Sequence, residues 1–178
     1  YGSREVIVRV NNLDSIWGDD DIKAVANIGA DAILFPNIES AEHVHAALKL
    51  LDEAGGNHMP IMVMIESPIA VLNAKEIAAA SDRIICIMMA TSDLTSQLHA
   101  RVTHEQSAIL TALSLVILAA RAYRRCVVDG ITALQAANDA GLGTVVVKDK
   151  LVEHHHVKAA QRLLKLHDMI AELEEEFI

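Results

Sequence analysis

The chain has 178 residues and carries 15 Lys and Arg against 24 Asp and Glu, so its formal net charge is −9. This acidic balance excludes a broad basic surface for nucleic acid or for an anionic membrane, because both partners need clustered positive charge. Hydrophobic residues make up 52% of the chain and aromatic residues only 3%, which predicts an ordered domain whose core is aliphatic.

Two further features of the composition bear on location. Cys86 and Cys126 each lie in an apolar run, which predicts buried free thiols and a reducing, cytoplasmic compartment. The longest uncharged apolar stretch, residues 108–120, is shorter than the roughly 18 residues that a membrane span needs. We therefore expect a buried helix there and no membrane segment.

Short apolar runs alternate with Ala-rich segments along the first 131 residues. Runs of this kind next to turn residues predict buried strands, and the segments between them predict helices. The predicted strands are 5–10, 32–35, 61–65, 84–88 and 126–128, and the predicted helices are 20–28, 40–54, 73–80 and 104–122.

This alternation predicts an α/β fold with a parallel sheet covered by helices. No Gly-x-Gly-x-x-Gly follows any strand, so a (β/α)₈ TIM-type barrel is favoured over a dinucleotide-binding fold. Only five strands are predicted, so we expect residues 1–131 to form an incomplete barrel. Residues 132–178 predict a helix–hairpin–helix lid, with helices 133–140 and 157–177 and strands 144–147 and 150–152.

Ligands in parallel α/β folds bind at the carboxyl ends of the strands, where Glu66 and Asp93 follow the third and fourth predicted strands. Adjacent strands lie about 5 Å apart, and two carboxylates that close repel unless a proton or a cation lies between them. Carboxylates with water and substrate oxygens suit Mg²⁺. The alternative is two solvated loop acids that never meet.

Arg9 is the second candidate, because it points away from the face of Val8 and Val10. An Arg inside a barrel needs an anion, and a substrate carboxylate is a suitable bidentate partner. An internal ion pair with Glu66 or Asp93 is the competing interpretation. The histidine run at 154–156 is not expected to bind metal, because consecutive residues do not share a face, and Trp17 is expected to be a packing residue.

Several longer motifs follow one another along the chain. They are Val8-Arg9-Val10-Asn11 with Trp17-Gly18 and Asp21, Gly29-Ala30-Asp31 with residues 35–41, residues 64–68 with 71–74, residues 89–95, residues 119–123 with 128–130, and residues 148–153 with Val157 and Ala160. In these motifs the chain resembles the citrate lyase beta subunit and malyl-CoA lyase family, within the HpcH/HpaI aldolase superfamily.

The resemblance implies a (β/α)₈ barrel with a C-terminal lid in a homo-oligomer, a trimer or a hexamer. It also implies Mg²⁺ on Glu66 and Asp93, with a 2-oxo acid held by Arg9 and by the backbone at Ala90, Thr91 and Ser92. The lid aspartate that relays a proton matches Asp149. The implied reaction is reversible cleavage of a 3-hydroxyacyl-CoA, such as malyl-, citramalyl- or citryl-CoA, into an acyl-CoA and a 2-oxo acid.

The chain also departs from the family pattern. Segments resembling the family's first two strands and last barrel strand are missing, together with an acidic motif and a CoA-contacting arginine. Asn37 replaces a family Lys, Ala90 replaces a family Gly, and no Gly follows Asp149. These changes favour the alternative of a non-catalytic homologue or interaction subunit. A CoA-independent aldolase of the same superfamily is a weaker alternative, because those enzymes lack the lid.

Overall fold

The computed structural model of the chain describes residues 5–101, 107–129, 145–147 and 150–152. The chain divides into two compact units, Tyr1–Gly130 and Ile131–Ile178. The interpretation of these units as a barrel and a lid stays a prediction.

The first unit contains a five-stranded sheet in which every strand is parallel to its neighbours. The strands follow one another in chain order and are β1 (Ile7–Arg9), β2 (Ala32–Phe35), β3 (Ile61–Ile65), β4 (Ile84–Met89) and β5 (Cys126–Asp129). All five predicted strands are confirmed; β2 and β3 are entirely buried, whereas the short edge strand β1 is largely exposed. A parallel sheet in chain order is the arrangement that a (β/α) barrel requires.

Helices connect the strands of the first unit. They are α1 (Gly18–Asn27), α2 (Ala41–Glu53), α3 (Pro68–Leu72), α4 (Ala74–Ala79), α5 (Thr91–Gln97) and α6 (Leu110–Ala122), and a 3₁₀ turn, Ser107–Ile109, precedes α6. The Ser40 side chain accepts a hydrogen bond from the His43 N–H and so caps α2, as the sequence predicts. The short helices α3 and α5 were not predicted. Among the helices that the structure describes, none combines the length and apolar character needed to cross a membrane.

The sheet has two different faces. Alternate residues such as Ile33, Phe35 and Val63 are fully buried and pack with the helices in the main core. The opposite face carries a smaller cluster of Leu34, Met62, Met64 and Cys86, with Met88, Ala90 and Val128 beside it. This second face corresponds to the interior side of a barrel, because the helices cover the other one.

The turn into α1 corrects one prediction. Trp17 is 60% exposed, so it is not the packing residue that we expected. Its neighbour Gly18 is buried instead, and a Cβ there would lie 2.7 Å from the Asn12 carbonyl oxygen. The Asp21 carboxylate closes the same turn by accepting hydrogen bonds from the Asn11 backbone N–H and side-chain amide. The Trp-Gly…Asp motif therefore has a structural role here.

In the second unit, β6 (Val145–Val147) pairs with β7 (Lys150–Val152) in antiparallel register. This pairing confirms the predicted hairpin. The predicted helices 133–140 and 157–177, the histidine run at 154–156 and the candidate residue Asp149 lie outside the described residues.

Candidate metal centre

Glu66 and Asp93 lie at the same edge of the sheet. Glu66 directly follows β3, and Asp93 belongs to the first turn of α5, which follows β4. The ends of these strands are in register, since Ile65 pairs with Met89 and the Ala90 N–H donates to the Ile65 carbonyl oxygen at 3.0 Å. The two acids thus extend from neighbouring positions at the carboxyl end of the sheet.

The electrostatics of Glu66 show that these groups act on one another. Partial burial raises the pKa of Glu66 above its ordinary value, and the charge of Asp93 raises it further. A hydrogen bond from the Asn37 N–H and the charge of Arg9 act in the opposite direction. Residues at four strand ends therefore contribute to one charged site. A Mg²⁺ ion shared by Glu66 and Asp93 stays a prediction.

A cation between Glu66 and Asp93 would offset the repulsion between their charges. Two carboxylates close to each other favour protonation, and a divalent cation supplies the positive charge that a proton would otherwise bring. Within the described residues, no group of three or more His, Cys, Asp or Glu side chains could hold a metal. The donor set of Glu66 and Asp93 fits Mg²⁺, which keeps several waters and binds through one or two carboxylates.

Asn37 holds the Glu66 carboxylate through its backbone. Its φ of 52° is left-handed, and its N–H donates to Glu66 Oε1 at 2.9 Å. Asn adopts this conformation more readily than most other residues, because its short polar side chain can hydrogen-bond locally. The replacement of a family Lys by Asn37 is thus compatible with a backbone contact that orients Glu66.

Arg9 ends β1 and is exposed. Its register partner is Leu34, so it lies on the face opposite the main core, as the alternation of Val8, Arg9 and Val10 predicts. In the part of the chain that the structure describes, Arg9 makes no direct ion pair with Glu66 or Asp93. The Arg9 guanidinium influences Glu66 by Coulomb attraction without direct contact, so it can still bind the carboxylate of a ligand.

Ala90, Thr91 and Ser92 form the start of α5. Ala90 is the residue before the helix, with φ −91° and ψ 78°, so its backbone does not require Gly. Thr91 is 2% exposed, whereas Ser92 is exposed. A ligand at this edge would therefore meet the backbone of the turn and the Ser92 side chain rather than the Thr91 side chain.

A polar network that the sequence analysis missed fixes the loop after β3. Ser67 Oγ donates to a carboxylate oxygen of Glu39 at 2.5 Å and accepts from the Ala70 N–H. The Asn73 side-chain amide donates to the Glu39 carbonyl oxygen at 2.9 Å. The signal for this network was the Ser67-Pro68 pair, which is typical of a helix start.

Known proteins share sequence with this chain. A family model described as HpcH/HpaI aldolase/citrate lyase matches residues 1–160. A (3S)-malyl-CoA thioesterase of Cereibacter sphaeroides is 41% identical over 131 residues, which cover 74% of this chain and 44% of that protein. The citrate lyase subunit beta of Leuconostoc mesenteroides is 38% identical over 68% of this chain and 42% of its own length. The chain spans less than half the length of these relatives.

Solved structures share the fold. RipC from Yersinia pestis superposes with a TM-score of 0.63 and 23% identity over 77% of this chain and 67% of that chain. The citrate lyase beta subunit of M. tuberculosis, in complex with oxaloacetate and magnesium, gives a TM-score of 0.57 and 23% identity over 75% of this chain and 61% of that chain. At these identities the likeness extends to the fold alone.

Proposed function

Because the chain belongs to the HpcH/HpaI aldolase/citrate lyase family, we propose that it is a Mg²⁺-dependent carbon–carbon lyase of 3-hydroxyacyl-CoA thioesters. Malyl-, citramalyl- or citryl-CoA is the substrate class, and an acyl-CoA and a 2-oxo acid are the products. The observation that supports this most directly is the placement of Glu66 and Asp93 at the ends of β3 and β4, where the charge of Asp93 raises the pKa of Glu66.

Glu66 and Asp93 would hold the Mg²⁺ ion. Bound there, the ion would polarise an oxygen of the substrate. The half-buried Glu66 is held in one orientation by the Asn37 N–H, so its carboxylate is prepared for the ion. Substrate carboxylates would bind the exposed Arg9 and the backbone of Ala90, Thr91 and Ser92.

The proposal gives Asp149 the role of proton relay for the thioester carbon, by resemblance to the family's lid aspartate. A proton must leave or reach that carbon when the bond to the 2-oxo acid forms or breaks. Asp149 lies outside the described residues, so this role depends on the resemblance alone. The expected homo-oligomer, trimer or hexamer, and the cytoplasmic location are likewise proposals.

The test is product release from a panel of 3-hydroxyacyl-CoA thioesters, with Mg²⁺ and then with a chelator. Metal-dependent appearance of both acyl-CoA and 2-oxo acid supports the lyase. Glu66→Gln and Asp93→Asn are each expected to lower kcat, measured at saturating thioester, by at least about 100-fold, since each removes a metal carboxylate. Asp19→Asn, an exposed acid in α1, is the matched control and keeps the wild-type rate.

A second candidate activity is hydrolysis of the thioester, and the identity to the (3S)-malyl-CoA thioesterases favours it. The same assay separates the two candidates. Hydrolysis releases free CoA thiol and an intact hydroxy diacid, whereas the lyase releases a 2-oxo acid and leaves the thioester bond intact. If a folded chain that binds Mg²⁺ releases neither free CoA nor a 2-oxo acid, the result would support the non-catalytic homologue instead.

A further inference from the structure

Sulfur-containing side chains are concentrated on the interior face of the sheet. Met62, Cys86 and Cys126 form one row across three neighbouring strands, because Met62 pairs with Cys86 and Cys86 pairs with Cys126. Met64 and Met88 are paired in the next row toward the carboxyl ends. Register partners in a parallel ladder point to the same face of the sheet, so the three sulfur atoms of the first row lie side by side.

The spacing of the row suits a single bound ion. Neighbouring strands are about 4.8 Å apart, and a thiolate bond to a d¹⁰ cation is about 2.3 Å long. One ion between Cys86 and Cys126 can therefore reach both sulfurs without movement of the strands. Both cysteines are free thiols, as predicted, but only Cys86 is buried. Cys126 is exposed, which corrects the prediction that both would be buried and provides an entry route.

The pKa of the Cys86 thiol depends on its burial and on its neighbours. Burial raises the pKa of Cys86 to about 11, and the neighbouring Cys126 contributes to the rise. The Val128 N–H acts in the opposite direction, because it hydrogen-bonds the ionised sulfur. A cation placed between the sulfurs would supply the positive charge that favours both thiolates.

The surroundings decide which cation fits. The apolar cluster around Cys86 consists of Leu34, Met62 and Met64 with Met88, Ala90 and Val128. Among the residues that the structure describes, no His, Asp or Glu joins the two cysteines in a group of three possible ligands. Hard cations such as Mg²⁺ prefer oxygen, and structural zinc sites are closed by four ligands, typically from Cys and His. Thiolate together with thioether selects Cu(I).

We propose that Cys86, Cys126 and Met62 form a binding site for Cu(I) on the interior face of the sheet. Binding replaces the two thiol protons, which are released to water, and the copper stays in the Cu(I) state throughout. The site is separate from the candidate metal centre, since Glu66 and Asp93 follow the carboxyl ends of β3 and β4 and offer only oxygen.

The test is an anaerobic titration of the reduced full chain with Cu(I) in the presence of a chromophoric Cu(I) chelator. We expect one equivalent to bind, with a thiolate-to-copper absorption in the ultraviolet and release of protons. Cys86→Ser and Cys126→Ser are each expected to weaken binding at least about 100-fold, and Met62→Leu about tenfold.

Two control variants make the result specific. Met64→Leu, one row further along, is expected to keep the wild-type affinity, and Glu66→Gln keeps it as well because it alters only the oxygen site. Circular dichroism establishes that each variant is folded. Failure of the wild-type chain to compete with the chelator overturns the proposal. So does tight Cu(I) binding that persists in the Cys86→Ser, Cys126→Ser double variant, because it would place the ion elsewhere, for example on the histidine run at 154–156.

Discussion

The Glu66 carboxyl group has a raised pKa and is also a proposed Mg²⁺ ligand. Its pKa is raised, so the folded chain binds this proton more tightly than the unfolded chain does. The stability that the protonated group contributes is present below the unfolded pKa and is lost as the pH rises through the folded pKa. At neutral pH, and without a metal, ionised Glu66 therefore lowers the stability of the fold.

This sign leads to a prediction for Glu66→Gln. The amide keeps an oxygen that can accept from the Asn37 N–H but removes the charge. In a chelator, we expect the variant to unfold at a higher temperature than the wild type at pH 7. The difference should shrink below pH 4.5, the ordinary pKa of the group, where the wild-type carboxyl is protonated as well. Thermal unfolding followed by circular dichroism measures both effects.

The effect of Mg²⁺ on the unfolding temperature tests the same charge. A ligand that binds only the folded state raises the unfolding temperature, so saturating Mg²⁺ should stabilise the wild type and leave Glu66→Gln unchanged. A variant that is less stable than the wild type at pH 7 in chelator would contradict the argument, as would equal stabilisation of both chains by the metal.

Asn37 offers a second test at the residue scale. Its φ of 52° is accessible to Gly and Asn, whereas a β-branched side chain is strained there. We expect Asn37→Val to lower the free energy of unfolding by about 1–2 kcal/mol and to weaken Mg²⁺ binding, because the N–H no longer holds Glu66. Asn37→Gly is the control and should retain Mg²⁺ affinity. Urea denaturation and Mg²⁺ titration give the two measurements, and equal behaviour of Val and Gly would contradict the backbone role.

At the scale of elements, the strands were predictable and two helices were not. The runs at 32–35 and 61–65 are entirely buried, so their apolar character is visible in the sequence. By contrast, α5 consists of Thr91–Gln97, with Thr, Ser and Asp residues that have low helix propensity. It forms because Leu94 packs in the core and Thr95 is buried beside it. Such tertiary contacts leave no local signal.

Two arginines that the sequence analysis did not single out tie the start of a strand to the segment that leads into the neighbouring, earlier strand. Arg83, just before β4, donates to the Gly56 and Met59 carbonyl oxygens beyond the end of α2. Arg125, just before β5, donates to the Ala78 and Ser81 carbonyl oxygens at the end of α4. The Ala78 carbonyl lies in the last turn of α4, where carbonyls lack intrahelical donors, and Arg125 supplies one.

A prediction follows for Arg125, whose side chain is only 12% exposed. Arg125→Met keeps much of the apolar stem but leaves the α4 carbonyls without donors, and we expect a loss of about 1–3 kcal/mol in the free energy of unfolding. Lys23→Met in α1 removes an exposed ion pair and should change it by less than about 0.5 kcal/mol. Urea denaturation compares the two; equal effects would show that the Arg125 hydrogen bonds contribute nothing.

At the scale of the whole molecule, the site combines groups that are far apart in sequence. Arg9, Asn37, Glu66 and Asp93 come together because four parallel strands end at one edge. The strand order was predictable from the βα alternation, and so was the meeting of the two acids. The left-handed backbone at Asn37 and the Glu39–Ser67 contact were not, because both depend on the exact path of loops.

The outer face of α6 leads to a prediction about assembly. Leu110, Leu115, Ile117 and Leu118 are all exposed, with Leu118 68% exposed. Several large apolar side chains exposed on one helix are typical of an interaction site, and the homo-oligomer expected from the resemblance would cover them. Light scattering of the full chain should give a mass that is a multiple of 19.3 kDa, and Leu118→Glu should shift it toward the monomer, whereas Lys49→Glu in α2 should not. A monomeric wild type would contradict this prediction.

The chain-order sheet has a consequence for biosynthesis. Each strand pairs with the one made just before it, so β1 to β4 can assemble one after another as the polypeptide leaves the ribosome. Arg9, Asn37, Glu66 and Asp93 all precede residue 98. A nascent chain that has exposed α5 has therefore exposed every one of these four groups before β5 emerges from the ribosome, so the residues of the proposed Mg²⁺ site are together while synthesis is still in progress.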